Sequence, residues 1–369
     1  MVRIPLAPLA LAALLAVALA GCGAPTAASP TAVPSAGTAA PAAPTDLGAV
    51  KTYLTGKSGE LKSATAALKT ASDGYYDLAR SANFDYAALW QTRRAELVRS
   101  IEAGRAAWMQ ASPLYEQIEG IVAGVPSLAE FDVILDAGSS GAEGGDNVVP
   151  FDLALPDGRV LARPGNLFGV TESTLWGTFA DYAARGVQAD VNGSGRQDFG
   201  DGLPDANVLK GGADMLDGKV ADLASAAAGW QPSEADAFTA LVTMVPTMSE
   251  YFDSWKSSRF VAGDQSTQRD FVAISRLADI QGILGSLEVV HQGVSPLIRS
   301  ADTAQDQQIG QGLRDLKALV AGVHQKEQSG QRFSAEDADL LGAEAQNRAT
   351  AITGQIAQAA AKLNIKIEQ

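Results

Sequence analysis

A twelve-residue run of oxygen-bearing side chains and glycines is the part of the sequence best suited to holding a cation. Residues 190–201 read DVNGSGRQDFGD, with glycine at the sixth position, where a calcium-binding loop turns sharply. Glutamine at the eighth position and aspartate at the twelfth depart from the usual aliphatic residue and glutamate. The pattern predicts a Ca²⁺ site, and an ordinary acidic surface loop is the alternative. The predicted ligands are the side chains of Asp190, Asn192, Ser194, Asp198 and Asp201 and the backbone carbonyl of Arg196.

The residue types that carry most catalytic chemistry are scarce. The chain has two histidines and one cysteine. Glu288 and His291 lie one helical turn apart, a spacing from which bundles build metal sites, although a lone histidine on an apolar seam is more often a core residue. His324, near the end of a predicted helix, complements the helix dipole. Because no nucleophile–base set is present, the sequence predicts a protein that is not an enzyme.

The one cysteine, Cys22, ends an apolar N-terminal segment. Arg3 is followed by apolar residues from position 6 to position 20, which is the layout of a secretory signal. The segment closes with Leu-Ala-Gly-Cys, which resembles the lipobox of bacterial lipoproteins, where the cysteine is lipidated and the signal is cut before it. An ordinary secretory cleavage site is the alternative. We expect a lipid-anchored protein of the cell envelope, exposed to the periplasm or the cell exterior, with the membrane as a partner through Cys22.

Composition separates this anchor from the folded part. Residues 23–46 are almost entirely Ala, Pro, Thr, Ser and Gly, which cannot bury enough apolar surface to fold and predict a semi-extended tether. The chain is acidic, with 28 Lys+Arg against 42 Asp+Glu and a net charge of −14. That charge disfavours nucleic acid and anionic lipid headgroups as partners, and it is compatible with cations or with simple solubility.

The elements that must position these residues are mainly helical. Apolar residues at alternating spacings of three and four predict helices within 97–122, 277–294 and 341–363. Pro113 lies inside the first, where we expect a kink or a break. Capping boxes predict two helix starts, at Ser233 with Asp236 and at Ser334 with Asp337.

The middle of the chain is different. Residues 136–165 are rich in Gly, Asp and Pro and show little periodicity, although 151–160 could form a short hairpin around Pro-Asp-Gly. A second irregular stretch covers 186–204. Between the two stretches lies a predicted helix that carries Glu172 and Trp176. Irregular segments beside a helix of a bundle often contain a functional site.

The sequence of that middle helix is similar to a known signature. Residues 168–176, FGVTESTLW, resemble the His-x-x-Glu motif of the imelysin-like family, which includes the EfeO/EfeM lipoproteins of bacterial iron uptake. Segments 105–119, 131–135 and 256–298 resemble other parts of the family in the same order. The resemblance implies an all-α fold of two packed helical bundles with an irregular Gly/Asp-rich middle region. We therefore divide the chain into a signal peptide (1–21), a tether (22–46), an N-terminal bundle (47–228) and a C-terminal bundle (229–369).

The chain departs from the signature at one position. Glu172 matches the glutamate, but Gly169 stands where the histidine belongs, and glycine offers no ligand atom. The metal site is therefore either lost or rebuilt from carboxylates, and carboxylate ligands suit Fe(III), Ca²⁺, Mg²⁺ or Mn²⁺ better than Zn²⁺. In the alternative interpretation, these acids are solvated or paired with arginines. The candidate metal ligands are Glu116, Glu119, Asp132 and Glu172.

The resemblance also implies a function. It indicates a non-catalytic, lipid-anchored, extracytoplasmic metal-binding protein that serves the uptake of iron or another metal. An iron permease or a haem peroxidase of the same uptake system would be its partner. A surface module that binds polysaccharide or protein in the cleft between the bundles is one alternative. A metallopeptidase is another, although the motif on which peptidase activity would depend is the one that is broken here.

Overall fold

A computed structural model describes residues 45–368. The predicted signal peptide, Cys22 and all but the last two residues of the predicted tether lie outside this range. No helix in the described part of the chain is long and apolar enough to cross a membrane. The helices are α1 (Leu47–Ser81), α2 (Tyr86–Thr92), α3 (Arg94–Val122), α4 (Ala129–Asp132), α5 (Leu167–Trp176), α6 (Ala206–Gly229), α7 (Glu234–Met244), α8 (Met248–Ser257), α9 (Arg276–Ala301), α10 (Thr303–Gln328) and α11 (Ala335–Leu363).

Long helices packed side by side form the structure. Helix α1 packs against α3 and α6, α3 packs against α9, and α9 packs against α10, while α11 packs against α8 and α10. One hydrophobic core extends from Val50 in α1 to Ala360 in α11. The predicted all-α class is therefore confirmed. The division into two bundles at residue 228 stays a prediction.

Proline does not interrupt α3. The helix is continuous from Arg94 to Val122 with Pro113 inside it, so the break that we considered does not occur. Trp108 and Tyr115, on either side of the proline, are both buried in the core. Tertiary packing of both halves therefore outweighs the one backbone hydrogen bond that the proline removes.

Local signals in the rest of the chain give the expected structure. The capping boxes at Ser233 and Ser334 both form, with each serine hydroxyl and the aspartate three residues later bonding reciprocally to the backbone. The predicted hairpin forms from β1 (Asp152–Ala154) and β2 (Val160–Ala162), which pair antiparallel. A single π-helical turn, Val133–Ala137, follows α4.

Two glycines let α3 and α9 approach each other closely. A Cβ atom on Gly120 would lie 2.4 Å from Ser286 Oγ, and one on Gly282 would lie 3.0 Å from Glu116 Cβ. A larger residue at either position would therefore push the helices apart. This close contact holds the acidic side chains of α3 against the first turn of α9.

Candidate metal centre

Five carboxylates and one guanidinium meet at the α3–α9 contact, and we call them the acid cluster. Helix α3 contributes two glutamates one turn apart, and α9 contributes an arginine and an aspartate in its first turn. The other two aspartates come from the end of α4 and from the π-helical turn, a local geometry that is frequent at functional sites. The members are Glu116, Glu119, Asp132, Asp136, Arg276 and Asp279.

Three of these acids point carboxylate oxygens at one another. Glu116, Glu119 and Asp136 each offer an oxygen atom, and these atoms all lie within 4.8 Å of one another. The three residues are only 2–3% exposed. Glu116 Oε2, Glu119 Oε2 and Asp136 Oδ2 are buried without a hydrogen-bond partner in the described structure. Buried polar atoms normally have partners, and a cation or protons would supply them here.

Arg276 supplies positive charge on one side of the cluster. One of its terminal nitrogens, Nη1, lies 3.0 Å from Asp279 Oδ2, 3.7 Å from Glu116 Oε1 and 4.0 Å from Asp136 Oδ2. The guanidinium carbon lies 3.7 Å from the centre of the Phe271 ring, so the group is stacked as well as paired. One guanidinium cannot balance five carboxylates, and the cluster keeps an excess of acid.

Two tyrosines bond to the acids on the other side. The Tyr115 hydroxyl donates to Asp132 Oδ1 at 2.7 Å, and the Tyr251 hydroxyl donates to Glu119 Oε1 at 2.5 Å. Each bond fixes the direction of its carboxylate, and the second oxygen of Glu119 has no hydrogen-bond partner in the described structure. The tyrosines therefore orient the acids without neutralising them.

Burial makes four carboxyl groups of the acid cluster hard to ionise. It is the largest cause that raises the pKa of Asp132 to about 7 and that of Asp279 to about 6, with the charge of Glu119 adding to both. Burial also raises the pKa values of Glu116 and Asp136 well above the usual range, although Arg276 opposes the shift. Without a cation, part of the cluster is therefore protonated at neutral pH, and a metal ion that binds would displace protons.

Glu172 has a different set of partners. It is 1% exposed in α5, and its Oε2 accepts the backbone N–H of Phe271 at 2.6 Å. Its Oε1 accepts the N–H groups of Val272 at 3.0 Å and Ala273 at 2.8 Å. The carboxylate thereby holds the segment 269–275, which we call the covering segment because Phe271 stacks on Arg276. Burial raises the pKa of Glu172 to about 8, while the three N–H donors favour the ionised form.

A small cavity separates Glu172 from the acids. Its volume is about 10 Å³, and Asp136, Gly169, Glu172 and Asp279 are among its lining residues. That volume is about the minimum for one water molecule or a bare ion. The structure thus brings Glu116 and Glu119 together with Asp136, with Asp132 beside them, and it places Glu172 across the cavity with its oxygens bonded to the backbone.

A comparison with protein families gives the wider relationship. The family model described as Imelysin (Peptidase_M75) matches residues 49–358. The chain belongs to the imelysin family. No curated protein matches the chain.

Within this imelysin domain, the space beside the signature position is filled. A Cβ atom on Gly169 would lie 2.5 Å from Asp270 Oδ2 and 2.9 Å from Asn166 Oδ1. Asn166 caps α5 by accepting the N–H of Gly169 at 2.6 Å. A histidine at position 169 would therefore require Asp270, a residue of the covering segment, to move.

The two histidines lie elsewhere in the imelysin domain. His291 Nε2 lies 3.2 Å from Asp306 Oδ1, and burial lowers the pKa of its imidazole. Glu288 pairs with Lys317 at 2.8 Å. His324 Nδ1 lies 2.9 Å from Gln281 Nε2. The structure therefore gives Glu288 and His291 separate partners.

Residues 190–201, which we call the calcium-like loop, form many hydrogen bonds with one another. Both oxygens of Asp201 accept backbone N–H groups, from Val191 and Asp198, each at 2.9 Å. Asp198 accepts from Asn192 Nδ2 at 2.5 Å and from Ser194 Oγ at 3.1 Å. In the part of the chain that the structure describes, Asp190, Asp198 and Asp201 do not form a group with mutually close oxygens. The Ca²⁺ site stays a prediction.

Sequence reasoning missed three members of the acid cluster. Asp136, Arg276 and Asp279 had no role assigned, because Asp136 begins the irregular region and the others begin a helix. The spacing of charged residues along the sequence could have indicated all three. Asp132 and Asp136 lie four residues apart, and Arg276 and Asp279 three apart, both of which place charged groups on one face of a helical turn.

Proposed function

We propose that the chain is a non-catalytic metal-binding protein whose site is the acid cluster. Two observations on Glu116, Glu119 and Asp136 carry this proposal together. Each residue has a carboxylate oxygen within 4.8 Å of an oxygen of the other two, and each has a buried oxygen without a hydrogen-bond partner. Buried carboxylates remain stable as a group only when they are paired, protonated or bound to a metal ion. A cation at their centre would satisfy all three.

The ligand atoms favour hard cations. All of the unpartnered ligand atoms are carboxylate oxygens, which suit Fe(III), Mn²⁺, Mg²⁺ or Ca²⁺ better than soft metals. If every group is ionised, the five acids and Arg276 carry a formal charge of −4. A divalent ion would reduce that charge to −2 and a trivalent ion to −1, so higher ionic charge gives closer balance.

Competition makes such a site suited to release as well as to binding. Protons compete for Glu116 and Asp136 because burial raises the pKa values of these two acids. Arg276 competes because its guanidinium already lies beside Glu116 and Asp279. An ion held against two competitors can be passed on when the covering segment opens. We propose that this transfer serves uptake of iron or another metal, with an iron permease or a peroxidase of the same system as the partner.

Two features support our proposal that the protein is not a peptidase. The cavity beside Glu172 holds about 10 Å³, too little for a peptide bond and its neighbours. Gly169 stands where the signature has its histidine, and the Asp270 carboxylate fills the space that a side chain at position 169 would need. A zinc peptidase would need a histidine ligand and an open coordination position there. The proposed location, on the outer face of a membrane through lipid on Cys22, depends on the sequence signals alone.

Titration of Mn²⁺ into the metal-free mature protein by calorimetry tests the site. An Asp190→Asn background removes any contribution of the calcium-like loop. We expect one bound ion per chain and an affinity at least about tenfold lower in Glu119→Gln and in Asp136→Asn, which remove one ligand charge each. Glu130→Gln, which removes an exposed acid from the neighbouring α4, is the matched control.

Stability separates a metal site from a structural role. Each neutral substitution relieves repulsion among buried acids, so Glu116→Gln should raise the melting temperature of the metal-free protein. It should also abolish the further rise that Mn²⁺ gives the parent protein. If Mn²⁺ binds equally to Glu119→Gln, Asp136→Asn and Glu130→Gln, the proposal is wrong.

A further inference from the structure

A second and larger cavity is lined by residues outside the acid cluster. Its volume is about 420 Å³, within the range of small-molecule sites. Trp176, at the end of α5, lines it together with Phe199 of the calcium-like loop and Arg259, which follows α8. Three segments that are distant in sequence therefore enclose one space.

Two arginines without acidic partners face this space. Within residues 45–368, neither Arg259 nor Arg332 has a carboxylate oxygen within 4.0 Å of its guanidinium, whereas Arg269 pairs with Glu143 at 2.8 Å and Arg159 pairs with two aspartates. In a chain with 42 acidic and 28 basic residues, most arginines can find a partner. The carboxylates of Asp198 and Asp264 line the same cavity, so the space suits an anion that also carries a hydrogen-bond donor.

Packing holds the first of these groups in place. The guanidinium carbon of Arg259 lies 3.8 Å from the centre of the Phe199 ring, so the charge is stacked and half-buried. Burial lowers its pKa; Asp264 opposes this effect, and the positive charge of Arg332 adds to it. A carboxylate that bridges the two groups would relieve their mutual repulsion. Planar guanidinium forks bind carboxylates through two parallel hydrogen bonds, which makes this the favoured anion.

Acceptors in the same cavity add a second requirement. Gln268 donates through Nε2 to the carbonyl of Ser254 at 3.0 Å, while its Oε1 is buried without a partner. The carboxylate of Asp264 also lines the cavity. Because Gln268 Oε1 has almost no accessible surface, the acceptor that a ligand can reach is the Asp264 carboxylate. A pure polycarboxylate has no hydrogen-bond donor for it, and a hydroxyl group supplies one.

We propose that this cavity binds a small hydroxycarboxylate of about the size of citrate. Its carboxylates pair with Arg259 and Arg332, and its hydroxyl donates to Asp264. The site is distinct from the acid cluster and does not depend on metal binding there. It gives the protein a second ligand class, small organic anions.

Calorimetry in EDTA tests the proposal without metal. Citrate should bind with one site per chain. Tricarballylate, which has the same three carboxylates and no hydroxyl, should bind about tenfold more weakly, because it offers no hydrogen-bond donor to Asp264. Glycerol, which has hydroxyls and no charge, should not bind.

Substitutions locate the binding. Arg332→Gln, at an exposed position that tolerates change, should weaken citrate binding at least about tenfold, and so should Arg259→Gln. Arg348→Gln removes the same charge from a surface ion pair on α11 and should leave the affinity unchanged. The proposal is overturned if citrate gives no binding up to about 10 mM, or if Arg332→Gln binds citrate as the parent does. Equal weakening by Arg348→Gln would also overturn it, because that result would indicate only a general effect of net charge.

Discussion

The acid cluster and the calcium-like loop are both collections of carboxylates, but they satisfy their oxygens differently. In the loop, Asp201 and Asp198 accept N–H and O–H groups of the loop itself. In the cluster, Glu116, Glu119 and Asp136 each keep an oxygen without a donor, although they are almost completely buried. Water can compensate for an imperfect arrangement at the surface, and it cannot do so in the core.

The difference shows that two properties are separate: whether a chain has the ligand spacing of a cation site, and whether its carboxylates require a cation. The loop has the spacing of a cation site along the chain, and its backbone already supplies much of what a cation would give. The cluster has no recognisable run of ligands, since its members come from α3, α4, the π-helical turn and α9. Its need for positive charge is nevertheless larger, because the surroundings are apolar.

Glu172 provides the largest expected effect and the sharpest test of this comparison. If its role is to hold the covering segment, Glu172→Ala leaves three backbone N–H groups without their acceptor and should cost about 3 kcal/mol of unfolding free energy. The covering segment should also rearrange in this variant, because Phe271 has φ +54°, a conformation that a non-glycine residue keeps only when neighbours enforce it. Urea unfolding of the metal-free protein measures this cost.

A ligand role for Glu172 predicts the opposite outcome. In that case Glu172→Ala would leave the metal-free protein as stable as the parent and would remove metal binding. Thr174→Ala, which deletes a buried hydroxyl bonded only within α5, is a suitable control for general damage to this helix. We expect it to cost about 1 kcal/mol, clearly less than Glu172→Ala.

The pH dependence of stability is the second test, because it compares the buried acids with the loop acids. An acid whose pKa is higher in the folded state than in the unfolded state loses stability as pH rises between the two values. For Asp279 that interval runs from about 3.8 to about 6, for Asp132 from about 3.8 to about 7, and for Glu172 from about 4.5 to about 8. These groups should make the metal-free protein less stable at pH 8 than at pH 5.

Bound Mn²⁺ should weaken or remove this dependence of stability on pH. Bound Mn²⁺ favours the ionised acids, so the loss of stability between pH 5 and pH 8 should shrink or disappear, and binding should release protons. Calorimetry in two buffers with different ionisation enthalpies measures the released protons. Asp198, whose pKa is lowered chiefly by its hydrogen bond from Asn192, should contribute nothing to this proton release. A flat stability profile together with no proton release would mean that the cluster is already ionised at pH 5 and that burial does not raise the pKa values of its acids.

The parts of the structure that local sequence determines were predictable. Apolar periodicity predicted the long helices, and Ser233 and Ser334 predicted two of their starts. The helix that carries Glu172 and the hairpin near Gly158 followed from the same kind of signal. In each case the deciding interactions lie within a few residues along the chain.

The acid cluster could be predicted only in part, because its geometry depends on long-range packing. Glu116 and Glu119 were identified through a family resemblance. Asp279 joins them because Gly120 and Gly282 let α3 and α9 approach closely, which no local pattern reveals. The role of Glu172 depends on the backbone of residues 271–273, which are about a hundred positions away. Sequence patterns within a few residues cannot predict partners that are so distant along the chain.

Calcium binding by the loop should have the smallest effect. Ions bound to extracellular loops typically have Kd values of 10⁻⁴ to 10⁻³ M, so millimolar Ca²⁺ should raise the unfolding free energy by only about 1 kcal/mol. The structure gives a reason for a small gain. An ion must compete with the N–H groups that Asp201 already accepts, and it gains a free oxygen at Asp190, whose Oδ1 is buried without a partner. Melting curves in Ca²⁺ and in EGTA measure the difference, which Asp190→Asn should abolish. Asp146→Asn, which neutralises an exposed aspartate outside the loop, should preserve it. If the two curves coincide for the parent protein, the loop closes on its own hydrogen bonds alone, and the acid cluster is then the region of the two that needs a cation.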